Sequence, residues 1–290
     1  LVGADEDMYR KWAYSLKGAQ FTLYLTTLEE FTAAARQKRK ELESFTVLDV
    51  RDAEHKAELL KEADEAMARV KLGCDLLVGV RLLGLKPAEQ ETLLSHLLWD
   101  YVAGLPMDNP DAQRALLAAR KEHAFHWPFE YPEVFEKGGF NAFVGNPPFM
   151  RGKSISTNFG DIYFSYLHNS LNLNKGSADY CVHFLLGAFK NIRINGALGL
   201  ITTNTISQSD TREAGLDRLC NNQGYIYRAE KNKAWPGTAA VTVSIIHIVK
   251  GKNKIPCVLD GQRVALITSL LDNHSINGNP YELKNNLNIS

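Results

Sequence analysis

Apolar residues recur at three- and four-residue intervals through much of the first 120 positions, the period of helices with one buried face. Thr27 to Ser44 and Asp52 to Leu83 are rich in Ala, Leu, Glu, Lys and Arg, which favour helix. In the second stretch Ala57, Leu60, Ala63, Ala66, Met67 and Val70 form the expected buried stripe. Asp52 is the expected cap, with Glu54 in the first turn, where the helix dipole favours an anion. Lys86-Pro87 opens a further helix, Pro87 to Val102, which Gly104 and Pro106 end.

The pattern changes near His123. His126 to Phe135 is aromatic and broken by Pro128 and Pro132, too interrupted for a long helix. The short apolar run Phe140 to Val144 predicts a buried strand. A helix from Ala178 to Ile194 follows, with Val182, Leu185, Leu186 and Phe189 on one face. Asn195-Gly196 then turns the chain into a strand, Ala197 to Thr202. A helix over Thr211 to Cys220 and strands at Tyr225 to Ala229 and Ala240 to Val249 complete the series. Strands alternating with helices predict an α/β fold, a parallel-type sheet with a helical region in front of it.

Composition narrows this little: 45% of the 290 residues are apolar and 23% charged, as in ordinary globular proteins. No apolar run is long enough to span a bilayer, and early charges (Asp5, Glu6, Asp7, Arg10, Lys11) argue against a signal peptide. The four cysteines, Cys74, Cys181, Cys220 and Cys257, are widely spaced. That disfavours a zinc site or a disulfide framework and fits buried thiols in a reducing cytoplasm. The net charge is zero, yet positions 1–150 hold 18 basic against 24 acidic residues and positions 151–290 hold 15 against 9. A modestly basic second half suits a polyanionic partner.

The candidate chemistry lies in Asn146-Pro147-Pro148-Phe149, directly after the predicted strand. Ligands of open α/β sheets gather at the carboxyl ends of strands. An aromatic amine is a poor nucleophile because its lone pair is delocalised into the ring. Two acceptors around its hydrogens draw the nitrogen towards tetrahedral geometry. The side-chain oxygen of Asn146 and the carbonyl of Pro147 are such a pair. Pro148 restricts the residue before it to extended backbone, which holds that carbonyl rigidly. Phe149 offers a face on which an extruded base stacks.

Gly145-Asn146-Pro147-Pro148-Phe149 resembles the catalytic motif of the N6-adenine DNA methyltransferases. The likeness extends over most of His123 to Asn286, through His126 to Phe135, Gly145 to Ser156, Asn195 to Thr205 and Trp235 to Val241. Together these segments are similar to the large bacterial enzymes of restriction–modification and phage-exclusion systems. The resemblance implies a Rossmann-like fold, S-adenosylmethionine as methyl donor, and an adenine flipped out of double-stranded DNA. It implies that Asn146 and Pro147 bind the N6 amine and that Phe149 stacks on the base, with Trp235 on the other side. Arg151 and Lys153 become candidates for DNA phosphates, and Asp179 a candidate for the cofactor's surroundings.

The family's glycine-rich cofactor loop has no counterpart in Leu1 to Phe135, and Gly138-Gly139 sits on the wrong element. The expectation is therefore a fragment: a helical insertion region over 1–122, the catalytic part of a methyltransferase domain over 123–256, and over 257–290 a connection towards a DNA-recognition domain. Alone, such a chain should bind S-adenosylmethionine weakly or not at all and turn nothing over. Two other readings stand beside this one. A methyltransferase acting on RNA guanine or on a protein glutamine needs the same pair of acceptors. A non-catalytic remnant that only binds DNA or a partner needs no donor loop.

Overall fold

Asp49, rather than Asp52, starts the long second helix. Its side chain accepts from the Asp52 amide at 3.0 Å, and Asp52 Oδ2 accepts from the Asp49 amide at 3.2 Å. This reciprocal cap satisfies two amides that the first turn leaves without helical partners. The structure is a computed structural model and describes residues 1–4, 8, 10–11, 19–44, 46, 49–173, 177–236, 241–251 and 255–274. Ala240, the expected start of the last long strand, and the tail from Leu283 to Ser290 lie outside the described residues.

Helices dominate the first part of the described chain, among them α1 (Ala19–Ser44), α2 (Val50–Arg81), α3 (Pro87–Val102) and α4 (Pro110–Lys121). The buried stripe of α2 runs through Leu59, Ala63, Met67, Val70, Cys74 and Leu77. Leu60 and Ala57, expected to be inside, are exposed. The leucines at 59 and 60 are adjacent, and only packing against the neighbouring helices selects between them. At Gly79 the helix lies against α4 so closely that a Cβ there would stand 1.9 Å from the Ala115 carbonyl oxygen.

Two short helices, α5 (Trp127–Glu130) and α6 (Pro132–Glu136), carry the broken aromatic stretch. Trp127 and Tyr131 pack edge-on against Phe140 of the first strand, and Trp127 also against Phe143. That strand, β1 (Phe140–Gly145), connects to β2 (Ile192–Thr203) through α7 (Gly152–Phe159), α8 (Asp161–Leu171) and α9 (Tyr180–Asn191). After β2 a helical run, α10 (Ser209–Arg212), a π turn (Glu213–Asp217) and α11 (Arg218–Asn221), leads to β3 (Gly224–Ala234). Then come β4 (Thr242–Lys250), β5 (Cys257–Leu259) and β6 (Gln262–Val264).

The strand order is β1-β2-β4-β3-β5-β6. The fold is α/β, a partial Rossmann-like sheet preceded by a helical region. The expected parallel arrangement needs correction. β1–β2 and β3–β5 are parallel, but β2–β4, β3–β4 and β5–β6 are antiparallel. Only seven residues, 235–241, lie between β3 and β4, fewer than the dozen or so that a parallel crossover needs, so these consecutive strands run in opposite directions.

Two further differences concern β1 and β2. β1 is an edge strand rather than a buried one: among the described residues no strand pairs with its outer edge, and Val144 is 90% exposed. β2 begins at Ile192, ahead of Asn195-Gly196, which form a bulge inside the strand and not a turn before it. The partner register jumps there, from Phe140↔Ile192 to Ala142↔Ala197, and Asn195 adopts a left-handed φ of 63°.

Two cores hold the fold. One joins Met67, Val70, Cys74, Leu97 and Leu116 of the first helices to Ile155, Tyr163, Leu167 and Tyr180 of the β1–β2 crossover. The other lies between α9 and the sheet: Val182, Leu185, Leu186 and Phe189, all buried as expected, meet Leu198, Leu200, Ile226, Ile246 and Ile248. Lys250 closes the far end of α9, donating to the carbonyls of Phe189 (3.0 Å) and Ile192 (2.9 Å). Of the cysteines, Cys74, Cys181 and Cys257 are buried, whereas Cys220, expected inside, is exposed. Among the described residues no helix is long and apolar enough to cross a membrane.

Candidate functional site

The register of the sheet decides where the site lies. β1 and β2 run parallel, so Gly145 and Thr203 close their strands at the same end. Thr203 pairs with Val243 and Ala234 with Thr242, which brings the end of β3 to that same edge. The Asn146–Phe149 loop, following β1, and Trp235, following β3, therefore emerge side by side. They are far apart in sequence.

Asn146 is exposed, and its carboxamide has no hydrogen-bond partner among the described residues. Pro147 is buried while Pro148 is exposed, so the turn is anchored by one ring and open at the next. Asn146, Pro147 and Pro148 line a groove of about 400 Å³ that runs along the exposed edge of β1. Phe143 and Val144 form one wall, and His183 and Phe184 of α9 another.

Phe149 is 38% exposed. Its ring meets that of Trp235 with centroids 6.4 Å apart and planes at 89°. The two aromatics are thus brought together, but edge to face rather than as parallel jaws. The Trp235 amide donates to the Val241 carbonyl at 3.0 Å, which holds the residue over the mouth of the sheet. Arg151 and Lys153, at the start of α7, are exposed, and neither forms an ion pair among the described residues.

Asp179 sits at the N-terminus of α9, only 6% exposed. Its Oδ1 accepts from the Gly152 amide at 3.2 Å, and its Oδ2 accepts from the hydroxyls of Thr203 (3.2 Å) and Thr205. All three donors belong to the protein. No metal-binding group of His, Cys, Asp and Glu exists among the described residues.

His183 was not anticipated. It is fully buried, and among the described residues neither ring nitrogen has a hydrogen-bond partner. Burial pushes its pKa down to about 4, with nearby His168 adding to the effect. The signal was present: a histidine inside the apolar series Val182-His183-Phe184-Leu185 must enter the core with the face that carries it.

Residues 84–227 match the model of the Eco57I restriction-modification methylase family. Over these residues the chain is similar to that family. The matched span covers β1, the Asn146–Phe149 loop, the whole β1–β2 crossover and most of the run into β3. Methyl transfer in a restriction–modification setting is the chemistry of this family. Among solved structures, the type IIL restriction-modification enzyme MmeI in complex with DNA is similar at 19% identity, with a TM-score of 0.42. The match covers 52% of this chain, which spans 22% of the MmeI chain. A putative class I S-adenosylmethionine-dependent methyltransferase from Listeria monocytogenes is similar at 13% identity with a TM-score of 0.32, covering 87% of this chain and 88% of the other. No curated protein sequence matches the chain.

Proposed function

We propose that this chain carries the acceptor half of a DNA methyltransferase that places a methyl group on the N6 amine of adenine in double-stranded DNA. The observation that carries the reading is Asn146. It is an exposed carboxamide with no partner among the described residues, standing beside the Pro147 carbonyl at the carboxyl end of β1 and at the mouth of a groove.

The roles follow from hydrogen-bond capacity. The oxygen of Asn146 takes one N–H of the amine and the carbonyl of Pro147 the other. With both hydrogens held, the nitrogen lone pair is drawn out of the ring plane. The amine then becomes nucleophilic without a general base, and its surplus proton leaves after the methyl has arrived. Phe149 stacks on the extruded base, and Trp235 takes the opposite face once its ring has turned. Arg151 and Lys153 contact DNA phosphates near the extruded nucleotide.

The methyl donor in this reading is S-adenosylmethionine, which supplies an electrophilic methyl group on sulfur. The described residues do not make a cradle for it. Among the described residues no glycine-rich loop follows a strand ahead of β1, and the carboxylate of Asp179 already accepts from Gly152, Thr203 and Thr205. The donor's site belongs in this proposal to other parts of the protein, and the residues described here prepare the acceptor.

The test is a methyl-transfer assay of the intact enzyme bearing this chain, with labelled donor and separate duplex DNA, structured RNA and protein substrates. Label recovered as N6-methyladenine in DNA supports the reading. Label on RNA guanine or protein glutamine overturns the substrate. No label on any of them makes the chain a binding remnant.

A further inference from the structure

An aspartate at a helix N-terminus ordinarily turns its carboxylate onto the amides of its own first turn. Asp179 has the extended backbone of such a cap, φ −62° and ψ 153°, yet makes no side-chain bond to α9. Its carboxylate points instead to the chain that follows the Asn146–Phe149 motif, where Oδ1 takes the Gly152 amide, and to the end of β2, where Oδ2 takes the Thr203 and Thr205 hydroxyls. Among the described residues no lysine or arginine pairs with it. A buried carboxylate without a cation is stable only when hydrogen-bond donors surround it, and here they do.

Other contacts tighten the same junction. The Tyr180 amide donates to the Met150 carbonyl at 2.9 Å, the Asp179 amide donates to Thr211 Oγ1 at 3.2 Å, and the Ser177 hydroxyl donates to Asp210. Gly152 lies so close to the 177–178 backbone that a Cβ on it would stand 2.4 Å from the Ser177 carbonyl oxygen. The segment from Asn146 to Gly152 is therefore fixed at both ends. Pairing of β1 with β2 holds one end, and Asp179 holds the other.

We propose that Asp179 is a positioning residue for the acceptor loop, holding Gly152 against the end of β2 so that Asn146, Pro147 and Phe149 keep one disposition. This rests on the reading of Asn146 and Pro147 given above. The bonds that the Asp179 carboxylate accepts all come from the protein itself. It acts through the backbone, and its other oxygen ties the loop to Thr203 and Thr205.

The test uses the intact methyltransferase and two variants. In D179A the Gly152 amide loses its acceptor. Single-turnover methylation should fall by about tenfold to a hundredfold, the scale expected of a displaced reacting group, with DNA affinity little changed. In D179N the carboxamide oxygen still accepts from Gly152 and its NH2 donates to the threonine hydroxyls, so the rate should stay within about threefold of wild type. Hydrogen exchange, which needs no activity, should show the Gly152 amide deprotected in D179A and protected in D179N. Should D179A fail to fold, T205V removes one donor from Oδ2 and should give a smaller loss of the same kind.

An active wild type with D179A matching it in rate and in exchange at Gly152 overturns the proposal. So does equal impairment of D179A and D179N, since a role of the charge itself would then be required. An inactive wild type contradicts the methyltransferase reading alone, and exchange at Gly152 still decides whether the clasp exists.

Discussion

The ring of Trp235 stands at 89° to that of Phe149, with centroids 6.4 Å apart. A base stacked on both rings needs them parallel and separated by about twice the 3.4 Å step of stacked DNA. At 89° the edge of one ring rests on the other, so a base enters between them only after one ring turns. Phe149 is carried by a segment fixed at both ends, whereas among the described residues Trp235 is held through its backbone amide alone, so in the proposed reading it is the Trp235 side chain that has to turn.

Phe149→Ala and Trp235→Ala in the intact enzyme should each weaken capture of the target base by roughly 1–3 kcal/mol, the scale of base–aromatic stacking. The measurement is fluorescence of 2-aminopurine at the target position, which rises on extrusion and should rise less in either variant. An unchanged signal in both would place these rings in packing alone.

Gly79→Ala should destabilise the chain by about 1–3 kcal/mol, because a Cβ there meets the Ala115 carbonyl of the neighbouring helix, which cannot rotate away as a side chain can. Chemical denaturation reads the loss as a lower midpoint at unchanged slope. An unshifted midpoint would mean that α2 and α4 separate at little cost.

Acid sensitivity follows from His183. Its folded pKa, about 4, lies below its ordinary value of 6.5, so the native state resists a proton that the unfolded chain accepts. The stabilising difference is complete above pH 6.5 and is lost as pH falls from there towards 4. The slope for one such group is up to about 1.4 kcal/mol per pH unit. His168 is shifted in the same direction by burial and adds to it. His183→Leu should flatten the fall in melting temperature across this window. A variant with the wild-type profile would assign the sensitivity to other groups.

Lys250→Met should cost about 1–2 kcal/mol, since it removes an ammonium that serves the carbonyls at the end of α9 and leaves them without that donor. Thermal unfolding checks this. No change would show that water replaces the ammonium freely.

The sequence made the periodic elements legible, and the structure shows why. The Pro87–Val102 helix is bounded by its own proline and glycine signals, and the apolar face of α9 is buried as its spacing requires. What was missed depends on partners distant in the chain. The run Phe140 to Val144 reads as a buried strand because apolar runs usually have neighbours on both sides, but edge position is a property of the sheet. The direction of β4 was readable in principle, since the seven residues between it and β3 are too few for a parallel crossover. The place of Asp179 was visible as a helix start, but not its carboxylate's turn towards Gly152, Thr203 and Thr205, which the fold alone brings together. The meeting of Phe149 and Trp235 was accessible only through the family resemblance.

The most direct test of the account is Asn146→Ala in the intact enzyme, with methylation of duplex DNA and DNA affinity measured on the same preparation. Loss of one oriented acceptor should slow methyl transfer by about 10²–10³-fold while affinity for DNA stays near wild type. Methylation at close to the wild-type rate would contradict the account, because the amine of the base would then be held by groups other than Asn146.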